Sequence, residues 1–217
     1  MEPQSHRLIL GSASPRRSDL LRGAGLDFEI LPADVDESFD PKVGAVEAAC
    51  ELAERKARAT GILANPRGDR EHFWVLGGDT LVVLGSDCGP EANGPGPIYL
   101  GKPRDAAHAR EMLSMLSGTT HRVVTGVAIL HQAGRKAPLI VKSDAETTYV
   151  SMREITPEEQ SAYVASGEWK GKAGGYAIQE SADQFVDQLE GGGFDNVVGL
   201  PVELTLQLLV AAGFTRP

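Results

Sequence analysis

Two adjacent arginines, Arg16 and Arg17, follow the loop Gly11-Ser12-Ala13-Ser14 and Pro15. Ser14 is a favourable helix cap and proline suits the first helical position, so both arginines fall in the first turn of a helix. The helix dipole is positive there and disfavours cations by roughly 0.3–1 kcal/mol each. A bound anion shared by the guanidinium groups and the unpaired N–H groups of the helix start offsets that cost. The plain alternative is a pair of solvated surface arginines. We read a phosphate site.

Further residues sit against their local pattern or at element ends. Lys56 falls on the apolar side of a helix beside Ala49, Leu52, Thr60 and Leu63. It either snorkels to the edge or points into a pocket towards negative charge, and the helix alone does not decide. Lys102 stands just before a helix start, and Lys172 opens a glycine-rich stretch. Among carboxylates, Asp79 lies between two strongly apolar runs and Glu37 ends the acidic loop Asp34-Val35-Asp36-Glu37. A deeply buried Asp79 needs a cation or a hydrogen-bond partner. The ordinary readings are a hairpin turn for Asp79 and a solvated loop for Glu37. Taken together, cations for several phosphates and carboxylates for a divalent metal and an attacking water suit hydrolysis of a nucleotide phosphate bond.

Other chemistries fit less well. Gly167-Glu168-Trp169-Lys170-Gly171-Lys172-Ala173 superficially suggests a phosphate-binding P-loop. Its glycine spacing is one residue short, and Ala173 replaces the required Ser or Thr. No His/Cys set has zinc spacing, and no nucleophile-elbow pattern surrounds Ser12 or Ser14. His121 reads as a strand or surface histidine rather than a base.

The elements that must position these residues follow from periodicity. Leu8-Ile9-Leu10 reads as the end of a buried strand, and a helix runs from about Pro15 to Ala24. Phe28 to Leu31 reads as a strand. At about 100° per residue, Val43 to Leu63 is the clearest helix, with Val46, Ala49, Cys50, Ala53 and Ala57 on its apolar side. Phe73 to Leu76 and Leu81 to Leu84 flank Gly77-Gly78-Asp79-Thr80, where the glycines mark either a turn or close backbone approach. Gly85 to Pro97 looks like an exposed insertion. Ile98 to Leu100 is a short strand, followed by a helix from about Arg104 to Leu116. His121 to His131 and Leu139 to Ser151 are longer strands joined through Gln132 to Arg135. Thr156-Pro157-Glu158-Glu159 starts a helix ending near Gly167. Phe185 to Leu189 reads as a strand, Gly191 to Gly193 as a turn, and Leu200 to Ala212 as the closing helix.

Composition narrows the function classes. A formal net charge of -9 argues against a binder of nucleic-acid polymers, whose phosphates demand a basic face. Cys50 and Cys88 are too few for a disulfide framework and suit a reducing compartment. With no signal peptide and no bilayer-spanning run in the sequence, a soluble cytoplasmic protein with no membrane partner is expected. At 217 residues the chain fits one large domain or two lobes sharing a core.

Ser12-Ala13-Ser14-Pro15-Arg16-Arg17 followed by Leu20-Leu21 resembles the opening signature of the Maf family of nucleoside triphosphate pyrophosphatases. The likeness recurs in order through Asp34 to Glu37, Lys56-Ala57, Gly78-Asp79-Thr80, Gly101-Lys102-Pro103, Val124-Thr125-Gly126, Lys172 to Gln179 and Asn196 to Pro201. It implies one Maf-like domain over residues 1–217. The fold implied is α/β, a long twisted mixed sheet flanked by helices, with two lobes around a cleft as in the inosine triphosphatase group. The implied activity cleaves between the α- and β-phosphates of a nucleoside triphosphate, giving the monophosphate and pyrophosphate, with a divalent cation, Mg²⁺ or Mn²⁺. By resemblance Asp79 is the proton acceptor, Glu37 a second acidic residue, and both are metal ligands. Arg16, Arg17, Lys56 and Lys102 match phosphate-binding positions, and Ser12 lies in the loop that cradles them. Arg17, Thr80 and Gln179 match positions marking the branch that acts on dTTP and UTP, and a homodimer is implied. The amide of Gln179 can both donate and accept, as the edge of a uracil or thymine ring requires. Glu180 stands where the family usually has glycine, Gly78 where alanine is usual, and Trp169-Lys170-Gly171 replaces a shorter turn. The alternatives are a 7-methyl-GTP pyrophosphatase and a nucleotide-binding regulator of cell division without turnover.

Overall fold

The apolar run that opens the chain forms strand β1, Arg7–Leu10, in a computed structural model that describes residues 7–40, 42–65, 72–85, 96–132 and 139–215. β1 pairs in parallel with β2 (Glu29–Ile30) and with β3 (Phe73–Leu84), with Leu8 opposite Trp74. Hydrogen-bonded neighbours follow the order β2-β1-β3-β5-β6-β7, where β5 is Thr120–Gln132, β6 is Leu139–Met152 and β7 is Val186–Gly191. A further strand, β4 (Ile98–Leu100), pairs with β3. Parallel and antiparallel pairs coexist, so the sheet is mixed.

The chain forms two compact units: Met1–Asp79, Thr125–Glu146 and Gly199–Pro217 in the first, and Thr80–Val124 and Thr147–Val198 in the second. In the first unit the two-residue period of the strands sends alternate side chains to opposite faces. Leu8, Leu10, Trp74, Leu76, Val127 and Ile129 pack with Leu21 of helix α1 (Pro15–Gly23) and Leu209 of helix α6 (Val202–Ala211). Ile9, Val75, Ala128 and Leu130 pack instead with Ala53 and Ala57 of helix α2 (Ala45–Ala64). Strands covered on both faces read as unbroken apolar runs, which is why Leu8-Ile9-Leu10 and Phe73 to Leu76 show no alternation. Trp74 stacks on His131 at 4.2 Å, meets Phe214 edge-on, and donates its Nε1–H to the Ala212 carbonyl at 3.1 Å.

Glycines let α2 lie close against the strands. A Cβ on Gly77 would stand 2.2 Å from the Ala53 carbonyl oxygen, and one on Gly126 2.2 Å from that of Ala49. The segment Gly77 to Thr80 is therefore no turn. β3 runs straight through it, and the close-approach reading of these glycines is the correct one.

In the second unit β3 pairs antiparallel with β4, and β6 with β7, where the register slips between Ser151 and Met152. Helix α3 (Ala106–Leu116) is capped by Asp105, whose Oδ1 accepts from the His108 N–H at 2.8 Å. Helix α4 (Pro157–Ser166) starts on a capping box of Thr156 and Glu159 and stops at Gly167, left-handed at φ 77°. Ser114 and Gln160 bond at 2.9 Å and Arg110 and Ser161 at 2.7 Å, tying α3 to α4.

Several expectations shift. The second strand shortens to two residues, and Val46 lies on the exposed side of α2. The end of the chain carries a short helix, α5 (Phe194–Val198), before α6 begins at Val202 rather than Leu200. Ala173–Gly175 within the glycine-rich stretch is a 3-10 turn, and a second, Ser181–Phe185, takes in Phe185, so the strand expected from Phe185 begins at Val186. Most of the Gly85 to Pro97 insertion, Cys88 and the β5–β6 connection lie outside the described residues. Among the described residues, no helix is long and apolar enough to cross a membrane.

Candidate active site

α1 begins as its sequence dictates, with Ser14 at the cap position and Pro15 at the first turn, but the Ser14 side chain makes no capping hydrogen bond. No acidic residue enters that first turn. The helix start therefore keeps its positive end beside two arginines, the condition that favours an anion. Arg17 is buried. Its Nε donates to the Gly199 carbonyl at 2.7 Å and its Nη1 to Ser12 Oγ at 3.1 Å. Ser12 Oγ also accepts from the Ser14 N–H at 3.2 Å, so one buried hydroxyl braces the loop from two sides. Burial presses the Arg17 guanidinium pKa below its ordinary value, while the negative charges of Asp79 and Glu37 act in the opposite sense. Gly78 lies beside it: a Cβ there would stand 3.4 Å from Arg17 Nε, an ordinary contact, so the alanine usual at this position also fits.

Lys56 resolves its ambiguity in favour of negative charge. The close seating of α2 on β3, enforced at Gly77, brings Lys56 Nζ to 2.5 Å from Asp79 Oδ1 and to 2.6 Å from Glu37 Oε1. Asp79 and Lys56 are both largely removed from solvent, with side chains 13% and 12% exposed, whereas that of Glu37 is 50% exposed. Glu37 thus reaches inward from an open loop. That loop is bolted to α2 by the neighbouring residue: Arg55 Nη1 donates to the carbonyls of Asp36 and, at 2.9 Å, Ser38. The Asp36 carboxylate accepts from both the backbone N–H and the hydroxyl of Ser38, which lowers its pKa.

Ser12, Arg16, Arg17, Glu37, Lys56 and Asp79 all belong to the first unit. Thr80, Lys102 and Gln179 belong to the second. There, the loop bearing Lys102 rests on the glycine-rich segment. The Gly174 N–H donates to the Gly101 carbonyl at 3.1 Å, and Gly175 lies so close to Pro103 that a Cβ would come within 3.0 Å of its ring. Lys102 and Gln179 are exposed, and Thr80 is half-buried. Lys172 is buried and ion-paired to Glu180 at 3.1 Å, which sets it apart from the surface cations. His121 lies in a strand, buried, with Nε2 2.8 Å from the Tyr176 hydroxyl; burial lowers its pKa to about 4.

Sequence reasoning passed over Arg55, Asp36 and Ser38, which hold Glu37 in place. Their signal was present: Asp36-Glu37-Ser38 is a side-chain-stabilised turn pattern, and Arg55 adjoins Lys56. Gly77 and Gly126 are plain in the sequence, but the helix that touches them cannot be read from spacing. Among the described residues no group of three or more His, Cys, Asp or Glu gathers as a metal site. The acidic oxygens of Glu37 and Asp79 converge on one cation, Lys56. Two carboxylates completed by phosphate oxygens and water are a donor set that suits Mg²⁺ or Mn²⁺.

A family model described as Maf-like protein matches residues 7–212. A relative from Hahella chejuensis, named dTTP/UTP pyrophosphatase, is 39% identical over 211 residues, covering 97% of this chain and 94% of that protein. One of the same name from Citrifermentans bemidjiense is 42% identical over 195 residues, 90% of each chain. A third from Hyphomonas neptunium is 39% identical over 215 residues, 99% of this chain and all of its own length. A solved HAM1 protein from Coxiella burnetii aligns at a TM-score of 0.38 and 14% identity, over 72% of this chain and 90% of that one. With a family match along nearly its whole length and relatives near 40% identity end to end, the chain belongs to the Maf family.

Proposed function

We propose that this protein is a nucleoside triphosphate pyrophosphatase that hydrolyses dTTP and UTP to the nucleoside monophosphate and pyrophosphate. The names of its relatives support the substrate class. The observation that carries the chemistry is the Asp79–Lys56–Glu37 arrangement, in the same unit as Ser12 and Arg17. The family match spans both compact units, and we read them as parts of one Maf domain.

Asp79 is the general base. One of its oxygens accepts from Lys56, which fixes the carboxylate in direction. A water oxygen attacks the α-phosphorus while its proton passes to Asp79, and the bond from that phosphorus to the bridging oxygen breaks, releasing pyrophosphate. Arg16, the start of α1 and Lys102 bind phosphate oxygens, and Arg17 does so while bracing the Ser12 loop. Glu37 and Asp79 would hold a divalent cation, which polarises phosphate oxygens and neutralises developing charge. Thr80 and Gln179 serve the pyrimidine nucleotide, Gln179 through the paired donor and acceptor of its amide.

The test is a panel of dTTP, UTP, CTP, ATP, GTP and 7-methyl-GTP assayed for pyrophosphate with Mg²⁺ or Mn²⁺. Release from dTTP and UTP well above the purine nucleotides supports the reading. Preferential turnover of 7-methyl-GTP, or nucleotide binding without turnover, overturns it.

A further inference from the structure

Lys172 is a cation that the phosphate chemistry does not use. Only 8% of it is exposed, and a buried lysine is costly unless its charge is matched. Its Nζ meets both carboxylate oxygens of Glu180 at 3.1 Å and donates to the Glu168 carbonyl. The Glu168 side chain reaches the other way: its Oε2 accepts from the Ser181 N–H at 3.0 Å and from the Ser181 hydroxyl at 2.6 Å. The turn itself is closed by the Glu180 N–H on the Ala177 carbonyl at 3.1 Å. Its start is pinned where the Ala177 N–H donates to the Tyr163 hydroxyl at 3.1 Å. Every one of these contacts lies within the second unit.

The pinned residues flank Gln179, which is exposed. Ala177, Glu180 and Ser181 are all tied down, while Gln179 between them reaches solvent. An exposed turn gives up backbone entropy when it is held in one conformation. A free amide could recognise little from a mobile turn, because a donor and an acceptor must both be in register with their partners.

We propose that the Lys172–Glu180 ion pair is a clamp that fixes how the Gln179 amide is presented, making both residues positioning residues for base selection. This rests on the reading of Gln179 as a contact to the pyrimidine. Loosening the clamp leaves the water-activating carboxylates untouched and blurs the choice of base.

The experiment compares full-length wild type with Glu180→Gln, which removes the charge and keeps the size, and with Lys172→Met. Steady-state pyrophosphate release is measured for UTP and GTP, with amide hydrogen exchange over residues 177–181. The expected result for Glu180→Gln is a KM for UTP raised about tenfold with kcat within about twofold, and a UTP-to-GTP preference reduced about tenfold. Exchange over 177–181 quickens while protection in α4 is kept. Lys172→Met shows the same split. An unchanged UTP-to-GTP preference, or kcat lost equally on both nucleotides with protection lost in α4 as well, overturns the clamp alone. A wild type that releases pyrophosphate from neither nucleotide overturns the underlying function, and the clamp with it.

Discussion

A lysine on the apolar side of a helix must find a counter-charge or reach water, and Lys56 finds two carboxylates within 2.6 Å. That misfit was visible in the sequence, and so was Asp79 between two apolar runs. Their meeting was not, because they are 23 residues apart and joined only through the packing of α2 on β3. Asp79→Asn keeps the shape of the base and removes its basicity. Turnover falls by about 10²–10⁴ while UTP still binds, read by pyrophosphate release beside calorimetric titration. Arg55 sits further from the chemistry and acts on the loop of Glu37. Arg55→Ala lowers kcat about tenfold with little change in thermal midpoint, as expected of a partly exposed side chain that positions rather than supports. His121 carries a separate consequence for stability. Its pKa falls from 6.5 to about 4 through burial, so between those values the unfolded chain binds a proton that the folded chain does not. The contribution is present above pH 6.5 and lost as the pH falls towards 4, at up to about 1.4 kcal/mol per unit. Urea midpoints at pH 7 and pH 5 therefore fall more steeply in wild type than in His121→Gln.

At the scale of the elements, local signals and tertiary contacts divide the credit unevenly. The starts of α1 and α4 were readable because Ser14-Pro15 and Thr156-Pro157-Glu158-Glu159 are self-contained capping patterns. Gly77-Gly78-Asp79-Thr80 carried turn-like composition, yet it lies inside β3. The reason is α2, whose backbone occupies the space where side chains at Gly77 and Gly126 would stand. Gly77→Ala and Gly126→Ala each destabilise the fold by about 1–3 kcal/mol or more, because backbone atoms cannot step aside as a flexible side chain can. Gly77→Ala also moves Lys56 from Asp79 and lowers kcat. Gly23→Ala, where a Cβ meets nothing within 4 Å, changes stability by no more than about 0.5 kcal/mol. Urea unfolding of the three variants tests the contrast. The exposure of Val46 has a related cause: packing against the strands, rather than hydropathy, decides which face of α2 is covered.

For the whole molecule, the ordered motifs along the chain point to the family, and the match over residues 7–212 bears that out. What the motifs could not supply is the distribution of the candidate residues. Arginines, Lys56 and the acidic pair lie in the first unit, while Lys102 and Gln179 share adjoining loops in the second. The mixed sheet was expected, but the short α5 and the 3-10 turns on either side of Gln179 were not, since brief irregular helices leave little periodic trace. An acidic chain of net charge -9 that handles polyphosphates needs its cations gathered locally, and the first turn of α1 gathers two of them. The central claim is that water attacks the α-phosphorus of a pyrimidine nucleoside triphosphate. Hydrolysis of UTP in ¹⁸O-labelled water, with both products analysed by mass spectrometry, tests it most directly. Label in UMP with unlabelled pyrophosphate is the predicted result; label in pyrophosphate, or release of UDP and inorganic phosphate, would contradict it.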